Sequence, residues 1–330
     1  MSERYELGGS VAPSAIGLRA PTRARAAAAN PNVDRIVAGQ IRIQDGQPSE
    51  SWTAEAERFH ELARAQEDTR RASIGDSYEA LGRPTSVVLS LCGRRYLPLL
   101  ETWLGSCDRR GIEVRDKTIL MALDGYTQQR SHRLGLRSVR VDPAETDDIV
   151  EADRYGDSGF ARVMLYKTLV AVDALAIVPR LLFQDVDLLW LHDPLEDLER
   201  RAQEADLLFM YDGPNPVHEP LYLNSGFFFA VANEATRSVF ETLLRNSAYV
   251  LAARSQQRPL NRIVEHFLVH NLLRLKALPE TRYLNGHLFN LETGISPDAG
   301  DWARDGLVLH YSWTADIGEK QSKLAKFGLS

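Results

Sequence analysis

Short apolar runs alternate with amphipathic stretches along the chain from Thr85 onward. This alternation is typical of strands in a mainly parallel sheet that helices cover. It predicts strands at 86–91, 118–123, 180–183, 207–211, 226–231 and 307–311. It also predicts helices at 98–110, 160–175, 234–245, 259–272 and 318–327. The pattern therefore indicates an α/β fold.

The amino-terminal part of the chain lacks this alternation. Residues 1 to about 50 are rich in Ala, Arg, Pro and Gly and contain a single aromatic residue. A helical pattern then starts at Trp52 and ends before the breaker Gly82-Arg83-Pro84. Its apolar stripe is narrow, which predicts that the helix docks on the main domain. We expect residues 1–82 to form a partly flexible arm with a helix, and residues 83–330 to form one larger domain.

Composition narrows the class of protein further. The chain has 330 residues, of which 44% are hydrophobic and 25% charged, as in an ordinary soluble globular protein. With 39 Lys and Arg against 45 Asp and Glu, it lacks the basic excess that a nucleic-acid partner requires. Its two cysteines provide neither a disulfide framework nor a four-ligand zinc site. No window approaches the roughly 18 apolar residues of a membrane span. Nor does the chain start with the apolar core of a signal peptide, so we expect a cytoplasmic protein.

Two aspartates, Asp185 and Asp187, follow directly on an apolar predicted strand and are themselves followed by apolar residues. A buried carboxylate is strongly disfavoured without a partner. Carboxylate oxygens suit Mg²⁺ or Mn²⁺, ions that also bind substrate phosphates. The alternative is a structural role, as a helix cap or an arginine partner. Ligands of open α/β sheets bind beyond the carboxyl ends of the strands, which predicts that Asp124, Asp212 and His310 lie on the same rim.

A second acidic segment, which starts at Asp193, has the pattern of a helix start. Asp193 is a favourable N-cap residue, Pro194 fits the first helical position and Glu196 completes a capping box. We therefore interpret Asp193 as structural.

The segment Phe183-Gln184-Asp185-Val186-Asp187-Leu188-Leu189-Trp190 resembles the DxD segment of the nucleotide-diphospho-sugar transferase family, which includes plant cell-wall xylosyl- and arabinosyltransferases. Further segments similar to that family follow in the family's order. They are Tyr96, Trp103, Leu123-Asp124, Lys167, Leu223-Asn224-Ser225-Gly226-Phe227-Phe228, Leu278-Pro279, Asn285-Gly286, His310-Tyr311-Ser312-Trp313 and Lys320. The resemblance covers residues 84 to 330.

This resemblance implies a GT-A-like, Rossmann-type nucleotide-sugar-binding domain and the roles of its site residues. The implied ligands of Mn²⁺ or Mg²⁺ are Asp185, Asp187 and His310. The implied nucleotide contacts are Cys92, Gly93, Asp124, Lys167, Asp185 and Lys320, with Arg162 as a further helper. The implied catalytic residues are Asp187, Asn224, Gln257 and Asp212.

One segment, Ser255-Gln256-Gln257, departs from the family pattern. Related retaining transferases often carry Asp-Gln here, so Gln256 stands where an aspartate is expected. The missing negative charge leaves the sugar identity open, and with it the possibility of altered activity. Gln257 is a candidate for the donor-sugar face, and a helix N-terminal cap is its alternative role.

The leading hypothesis is a metal-dependent glycosyltransferase that moves a sugar from a nucleotide sugar, expected to be a UDP-sugar, to a hydroxyl group of a glycan, small molecule or protein, with retention of configuration. The proline-rich loop after Asp212, with His218 and Glu219, is an acceptor wall or only a rigid connection. Two alternatives remain. One is a phosphohydrolase with Asp185 as nucleophile and Asp187 as acid, and the other is a nucleotide-sugar-binding relative without turnover.

Overall fold

The strands lie in the part of the chain that the computed structural model describes, residues 48–141, 158–213, 222–286, 304–312 and 317–325. They are β1 (Val87–Cys92), β2 (Thr118–Ala122), β3 (Arg137–Arg140), β4 (Arg180–Gln184), β5 (Leu188–Trp190), β6 (Leu207–Tyr211), β7 (Leu223–Val231), β8 (Leu275–Ala277), β9 (Tyr283–Asn285) and β10 (Val308–His310).

The helices of the same residues connect and cover these strands. They are α1 (Glu50–Ala65), α2 (Glu67–Ala80), α3 (Leu97–Arg109), α4 (Gly125–Arg133), α5 (Ser158–Leu175), α6 (Leu195–Arg201), α7 (Glu234–Arg245), α8 (Ser247–Ala253), α9 (Gln257–Val269) and α10 (Ile317–Ala325). None of the described helices is both long and apolar enough to cross a membrane.

The central sheet has seven strands in the order β3-β2-β1-β4-β7-β6-β8. Four of its neighbouring pairs are parallel, which confirms the mainly parallel sheet predicted from the sequence. The exception is β7, which runs antiparallel to both β4 and β6. As a result, β7 begins at the edge of the sheet where β4 and β6 end.

Alternate residues of the central strands belong to two hydrophobic clusters, one on each face of the sheet. In β4, Leu181 and Phe183 belong to one cluster and Leu182 to the other, and all three are fully buried. Both faces are therefore covered, as expected for a sheet of nearly continuous apolar strands. This double burial leaves the strand ends as the places where polar groups reach the surface.

A second, smaller sheet has the order β5-β10-β9. Here β10 runs antiparallel to β5 and parallel to β9. The strand predicted at 307–311 is thus present as β10, but it lies in this second sheet and pairs with the segment directly after Asp187. This pairing cannot be predicted from the local sequence pattern, because more than 115 residues separate the two strands.

The prediction of a single helix that starts at Trp52 is wrong in one respect, because two helices occupy the region. The first, α1, ends at Ala65, and α2 starts at Glu67 after the intervening Gln66. Both dock on the main domain as predicted, since buried residues of α1 and α2 such as Phe59 and Ile74 belong to the core cluster that includes α5. Residues 1–47 lie outside the described residues, and the division at residue 82 stays a prediction.

Candidate active site

Three strand ends bring predicted site residues to one edge of the central sheet. The backbone N–H of Asp185, just past β4, donates to the carbonyl of Gly226 in β7 at 2.7 Å. The N–H of Asp212, just past β6, donates to the carbonyl of Tyr222 at 2.8 Å. Because β7 is antiparallel, its first residues, including Asn224, meet the last residues of β4 and β6. This convergence confirms the predicted rim for Asp185 and Asp212.

His310 reaches this edge from the smaller sheet. The N–H of Tyr311, the residue after β10, donates to the carbonyl of Asp187 at 2.9 Å. The Nε2 atom of His310 consequently lies 3.2 Å from Asp187 Oδ1 and 3.9 Å from Asp185 Oδ2. Asp187 and His310 are buried, whereas the Asp185 side chain is 36% exposed. Asp185 is therefore the open side of the triad.

The donor set of this triad fits a divalent cation. Two carboxylate oxygens and one imidazole nitrogen, from Asp185, Asp187 and His310, lie within 4.8 Å of one another. Carboxylate oxygens suit Mg²⁺ and Mn²⁺, and an imidazole ligand favours a transition-metal ion. These residues are thus able to hold a metal ion with one side open to a ligand.

Two lysines pair with the aspartates of the triad. Lys167 of α5 donates from Nζ to Asp185 Oδ1 at 2.7 Å, and Lys320 of α10 donates to Asp187 Oδ2. Burial by itself would raise the pKa of Asp187, but the Lys320 ammonium and His310 outweigh it and hold that pKa well below its usual range. Burial likewise opposes the charge of Lys320, but the Asp187 carboxylate raises the pKa of Lys320. Asp187 and Lys320 are therefore both charged at neutral pH.

Gly226 allows the triad to assemble. A Cβ atom at this position would lie 2.4 Å from Asp185 Oδ2 and 2.5 Å from His310 Cε1, closer than real Cβ contacts allow. This glycine belongs to a segment that resembles the family, but the resemblance implies no role for it. The sequence feature that could have indicated its role is a glycine inside a strongly apolar strand, because such a glycine often marks the close approach of another group.

A second cluster adjoins the triad at the start of β7. Asp212 accepts one hydrogen bond from each of two amides, from Asn224 Nδ2 at 2.5 Å and from Gln257 Nε2 at 2.7 Å. Gln257 Oε1 accepts from the N–H of Ser225 at 3.1 Å. Asn224 Oδ1 accepts from the N–H of Gly226 at 2.7 Å, which links this cluster to the metal-ligand triad. Asp212 thus joins the two other predicted catalytic residues of this cluster, Asn224 and Gln257.

The two glutamines at the start of α9 have different surroundings. Gln257 makes no helix cap, so the alternative role suggested for it is wrong; its side chain reaches Asp212 instead. Gln256 is fully buried and donates to Thr168 Oγ1 of α5 at 3.0 Å. A further residue of α9, for which the sequence predicted no role, is Asn261: its side-chain amide accepts the N–H of Leu223 at 2.8 Å and donates to the carbonyl of Leu223 at 2.9 Å. The sequence feature that could have indicated Asn261 is its position one helical turn after Gln257, on the same face of the helix.

The predicted nucleotide contacts near β1 and β2 have other partners. Asp124 caps α4 through the N–H of Thr127 at 2.7 Å and accepts the N–H of Arg94 at 2.9 Å. Cys92 is buried, and burial raises the pKa of its thiol well above its usual range. Cys92 therefore presents no side chain to the site. Gly93, directly after it, remains a predicted nucleotide contact.

Two other predicted residues lie away from the triad. Arg162 pairs with Glu55 of α1 at 2.5 Å, so its suggested role as a helper of the nucleotide site is not supported. Asp193 is structural as predicted, since its Oδ1 accepts the N–H of Leu195 at 2.9 Å. The predicted capping box is absent, because the N-cap of α6 is Pro194, which has no side chain able to cap the helix. His218, Glu219 and Trp313 lie outside the described residues.

The fold and the site define an α/β domain with a candidate metal site at the carboxyl ends of its strands, the edge at which open α/β sheets bind their ligands. The sequence profile of the family described as nucleotide-diphospho-sugar transferase matches residues 113–322. Because this match covers more than half of the chain, the protein belongs to the nucleotide-diphospho-sugar transferase family. Membership favours a transferase over the phosphohydrolase alternative.

Three curated relatives come from Arabidopsis thaliana. The chain is 31% identical over 169 residues to beta-arabinofuranosyltransferase RAY1, a match that covers 49% of this chain and 30% of RAY1. It is 25% identical over 154 residues to the UDP-D-xylose:L-fucose alpha-1,3-D-xylosyltransferase MGP4, covering 46% of this chain and 41% of MGP4. It is 21% identical over 278 residues to the UDP-D-xylose:L-fucose alpha-1,3-D-xylosyltransferase 3, covering 79% of this chain and 70% of that protein. The matches thus span less than half the length of the first two relatives.

Two solved structures resemble the chain at low identity. The galactosyltransferase LgtC, in complex with donor and acceptor sugar analogues, is 12% identical with a TM-score of 0.44, covering 72% of this chain and 95% of LgtC. The glycosyltransferase GlyE of Streptococcus pneumoniae TIGR4 is 13% identical with a TM-score of 0.44, covering 74% of this chain and 64% of GlyE. Family membership and the mainly parallel sheet together confirm the GT-A-like α/β architecture that the sequence predicted.

Proposed function

We propose that this protein is a metal-dependent glycosyltransferase that moves a sugar from a UDP-sugar to a hydroxyl acceptor with retention of configuration. One observation carries the proposal: Asp185, Asp187 and His310 offer ligand atoms within 4.8 Å of one another. Two lysines contact the carboxylates of this triad, so the site holds both metal ligands and cations suited to a diphosphate. Neither feature is needed to stabilise an ordinary sheet edge.

In this proposal each residue group has a distinct task. Asp185, Asp187 and His310 would hold Mn²⁺ or Mg²⁺, and the imidazole ligand favours Mn²⁺. When bound there, the ion would supply positive charge that offsets the negative charge developing on a departing nucleoside diphosphate. Lys167 and Lys320 add positive charge on the same side. The Asp212, Asn224 and Gln257 network, held rigid by its mutual hydrogen bonds, would orient the donor sugar.

The names of the relatives support a pentose donor. RAY1 is an arabinofuranosyltransferase, and MGP4 uses UDP-D-xylose according to its name. We infer that this chain prefers a UDP-pentose over a UDP-hexose. The acceptor is a hydroxyl group on a glycan, a small molecule or a protein.

Thermal unfolding of the full chain with UDP, GDP, CDP and ADP, and with UDP-pentoses and UDP-hexoses, tests the proposal. We expect UDP and a UDP-pentose to stabilise the protein in the presence of Mn²⁺ and not in excess chelator. A ligand that binds only the native state at a hundredfold excess over its Kd adds about 2.7 kcal/mol of stability. If no nucleotide shifts the transition, the donor assignment is wrong. If a UDP-sugar shifts it but is never consumed, the chain is a binding protein without turnover.

The stereochemical outcome is a separate prediction. Inversion needs a general base opposite the leaving group, whereas retention can proceed on one face of the sugar. At the start of α9 the chain carries the amides of Gln256 and Gln257, which cannot act as bases, and each carboxylate oxygen of Asp212 already accepts an amide hydrogen bond. We therefore expect the product to keep the donor's anomeric configuration. NMR coupling constants of the first-formed product measure this, and an inverted linkage would contradict it.

A further inference from the structure

The end of α9 carries two histidines, His266 and His270, one helical turn apart. The backbone N–H of His270 donates to the carbonyl of His266 at 3.2 Å, so helical geometry extends to His270. Residues four apart lie on the same face of a helix. The two imidazole rings accordingly contact each other, with centres 4.4 Å apart and planes inclined at 54°. Gln257, which contacts the active-site residue Asp212, lies about 14 Å from His266 along the helix axis.

A capping motif fixes this end of the helix. Asn271 has a left-handed backbone, with a φ of 54°, and its N–H donates to the carbonyl of Leu268 at 2.9 Å. The N–H of Leu272 donates to the carbonyl of Phe267 at 2.8 Å. These two bonds form a Schellman motif, and the buried Phe267 anchors the same turn in the core. The backbone beneath both histidines is therefore ordered before any ligand binds, which lowers the entropic cost of binding.

The two imidazoles have nitrogen atoms available as ligands. Neither ring hydrogen-bonds to another group among the described residues, and both side chains are half-buried. Burial, together with the neighbouring His270, lowers the pKa of His266, so this ring is neutral at neutral pH. The neutral imidazole is the form that binds a metal ion. Arg262, one turn earlier, donates to Glu265 at 3.3 Å, and this pairing offsets its charge.

A divalent transition-metal ion fits this pair of ligands. Imidazole nitrogens suit zinc, copper and nickel ions, whereas Mg²⁺ requires oxygen ligands. Two imidazoles that bind one ion through bonds of about 2.1 Å have ring centres about 4.5–5.3 Å apart. The observed separation of 4.4 Å therefore needs only a small rotation of the rings to reach that geometry. The negative end of the helix macrodipole also favours a cation at this terminus.

We propose that His266 and His270 form a second metal site, which binds a divalent transition-metal ion such as Zn²⁺, Ni²⁺ or Cu²⁺ through one nitrogen of each ring. The site shares no residue with the triad of Asp185, Asp187 and His310, and the inference does not depend on the proposed glycosyltransferase function. A bound ion cross-links the last turn of α9. Because the ion binds the folded helix, it stabilises the native state by mass action.

Titration calorimetry of the full chain with Ni²⁺ tests this site, with Mg²⁺ as the comparison ion. The natural chain and the variants His266→Ala and His270→Ala have the same triad, so any difference between them reports on the histidine pair alone. We expect each variant to bind Ni²⁺ at this site at least about 10²-fold more weakly, since linking two binding groups usually gains that much. The matched control is His132→Ala, which removes an exposed histidine from the last turn of α4 and should leave the affinity unchanged.

Thermal unfolding provides an independent measurement. Ni²⁺ should raise the unfolding midpoint of the natural chain and of His132→Ala, and raise it less for His266→Ala and His270→Ala. Circular dichroism without metal shows whether each variant folds, and His270→Gln replaces His270→Ala if the smaller side chain disrupts the helix end.

Two results would overturn the inference. If both variants of the pair bind Ni²⁺ with the affinity and stoichiometry of the natural chain, the rings make only an aromatic contact and no metal site exists there. If Mg²⁺ binds the pair as tightly as Ni²⁺, the assigned class of ion is wrong. Loss of one Ni²⁺ site in both variants, and not in His132→Ala, supports it. None of these measurements requires sugar transfer, so failure of the proposed function would leave their outcome unchanged.

Discussion

Replacing Asp187 with asparagine is expected to lower kcat/KM for sugar transfer by at least about 10³-fold. The substitution removes one negative ligand from the triad and leaves Lys320 without its charged partner. Losing several kcal/mol of electrostatic stabilisation of the leaving group corresponds to a rate loss of this size. The measurement is product formation from a UDP-sugar with saturating Mn²⁺.

The control for this variant is Asp193→Asn, which removes a carboxylate six residues further on that bonds the start of α6 instead of the triad. It should retain most of the activity, because its carboxylate pairs with the partly exposed Lys117 at 3.4 Å and, among the described hydrogen bonds, contacts neither the metal ligands nor Lys167 and Lys320. Far-ultraviolet circular dichroism and the unfolding midpoint show whether both variants fold. Equal activity of Asp187→Asn and the natural chain, with or without chelator, would refute the metal site.

Replacing Asp173 with asparagine is expected to destabilise the fold by about 3–5 kcal/mol, the usual cost of leaving a buried charge without its partner. Asp173 of α5 accepts hydrogen bonds from Arg70 at 2.6 Å and from Arg71 at 2.8 Å. Both Arg70 and Asp173 have side chains only 1% exposed. The remaining guanidinium would stay buried with a neutral amide in place of the carboxylate. Denaturant unfolding followed by fluorescence measures the loss.

Two companion variants test the cause of this loss. Glu67→Gln removes the exposed partner of Arg71 one helical turn away and should cost less than about 0.5 kcal/mol. The double variant Arg70→Met with Asp173→Leu removes both buried charges and should recover most of the stability, because apolar pairs often replace buried ion pairs without loss. If the double variant is as unstable as Asp173→Asn, packing and not charge explains the effect. Asp173 lies on the same helix as Lys167, which contacts Asp185 in the candidate site.

Local pattern was sufficient for the elements whose residues are neighbours in sequence. The helix predicted at 234–245 matches α7, which begins with a capping box at Asn233. The strand before Asp185 is evident as an apolar run, and the two aspartates at its end indicate an ion site because they interrupt apolar residues. The helix predicted at 259–272 was displaced by two or three residues at each end, as expected for boundaries that fray.

Contacts between distant parts of the chain were not predictable in this way. The break between α1 and α2 carries no glycine or proline, and Arg70 just beyond it pairs with Asp173, which is 103 residues away. The pairing of β10 with β5 likewise decides that His310 lies beside Asp187. The nucleotide contact that the family resemblance implies for Asp124 stays a prediction, and only the structure shows that this carboxylate also caps α4.

The sequence by itself therefore determined the fold class, the family and the two aspartates, since each depends on residue types at short spacing. Only the tertiary structure decided how these groups meet. The antiparallel direction of β7 brings Asn224 to the ends of β4 and β6, Gly226 leaves room for Asp185 and His310, and Lys320 of α10 pairs with Asp187. The physical reason is that periodicity reports which side of an element is buried, whereas strand pairing and ion pairing depend on which distant surfaces pack together.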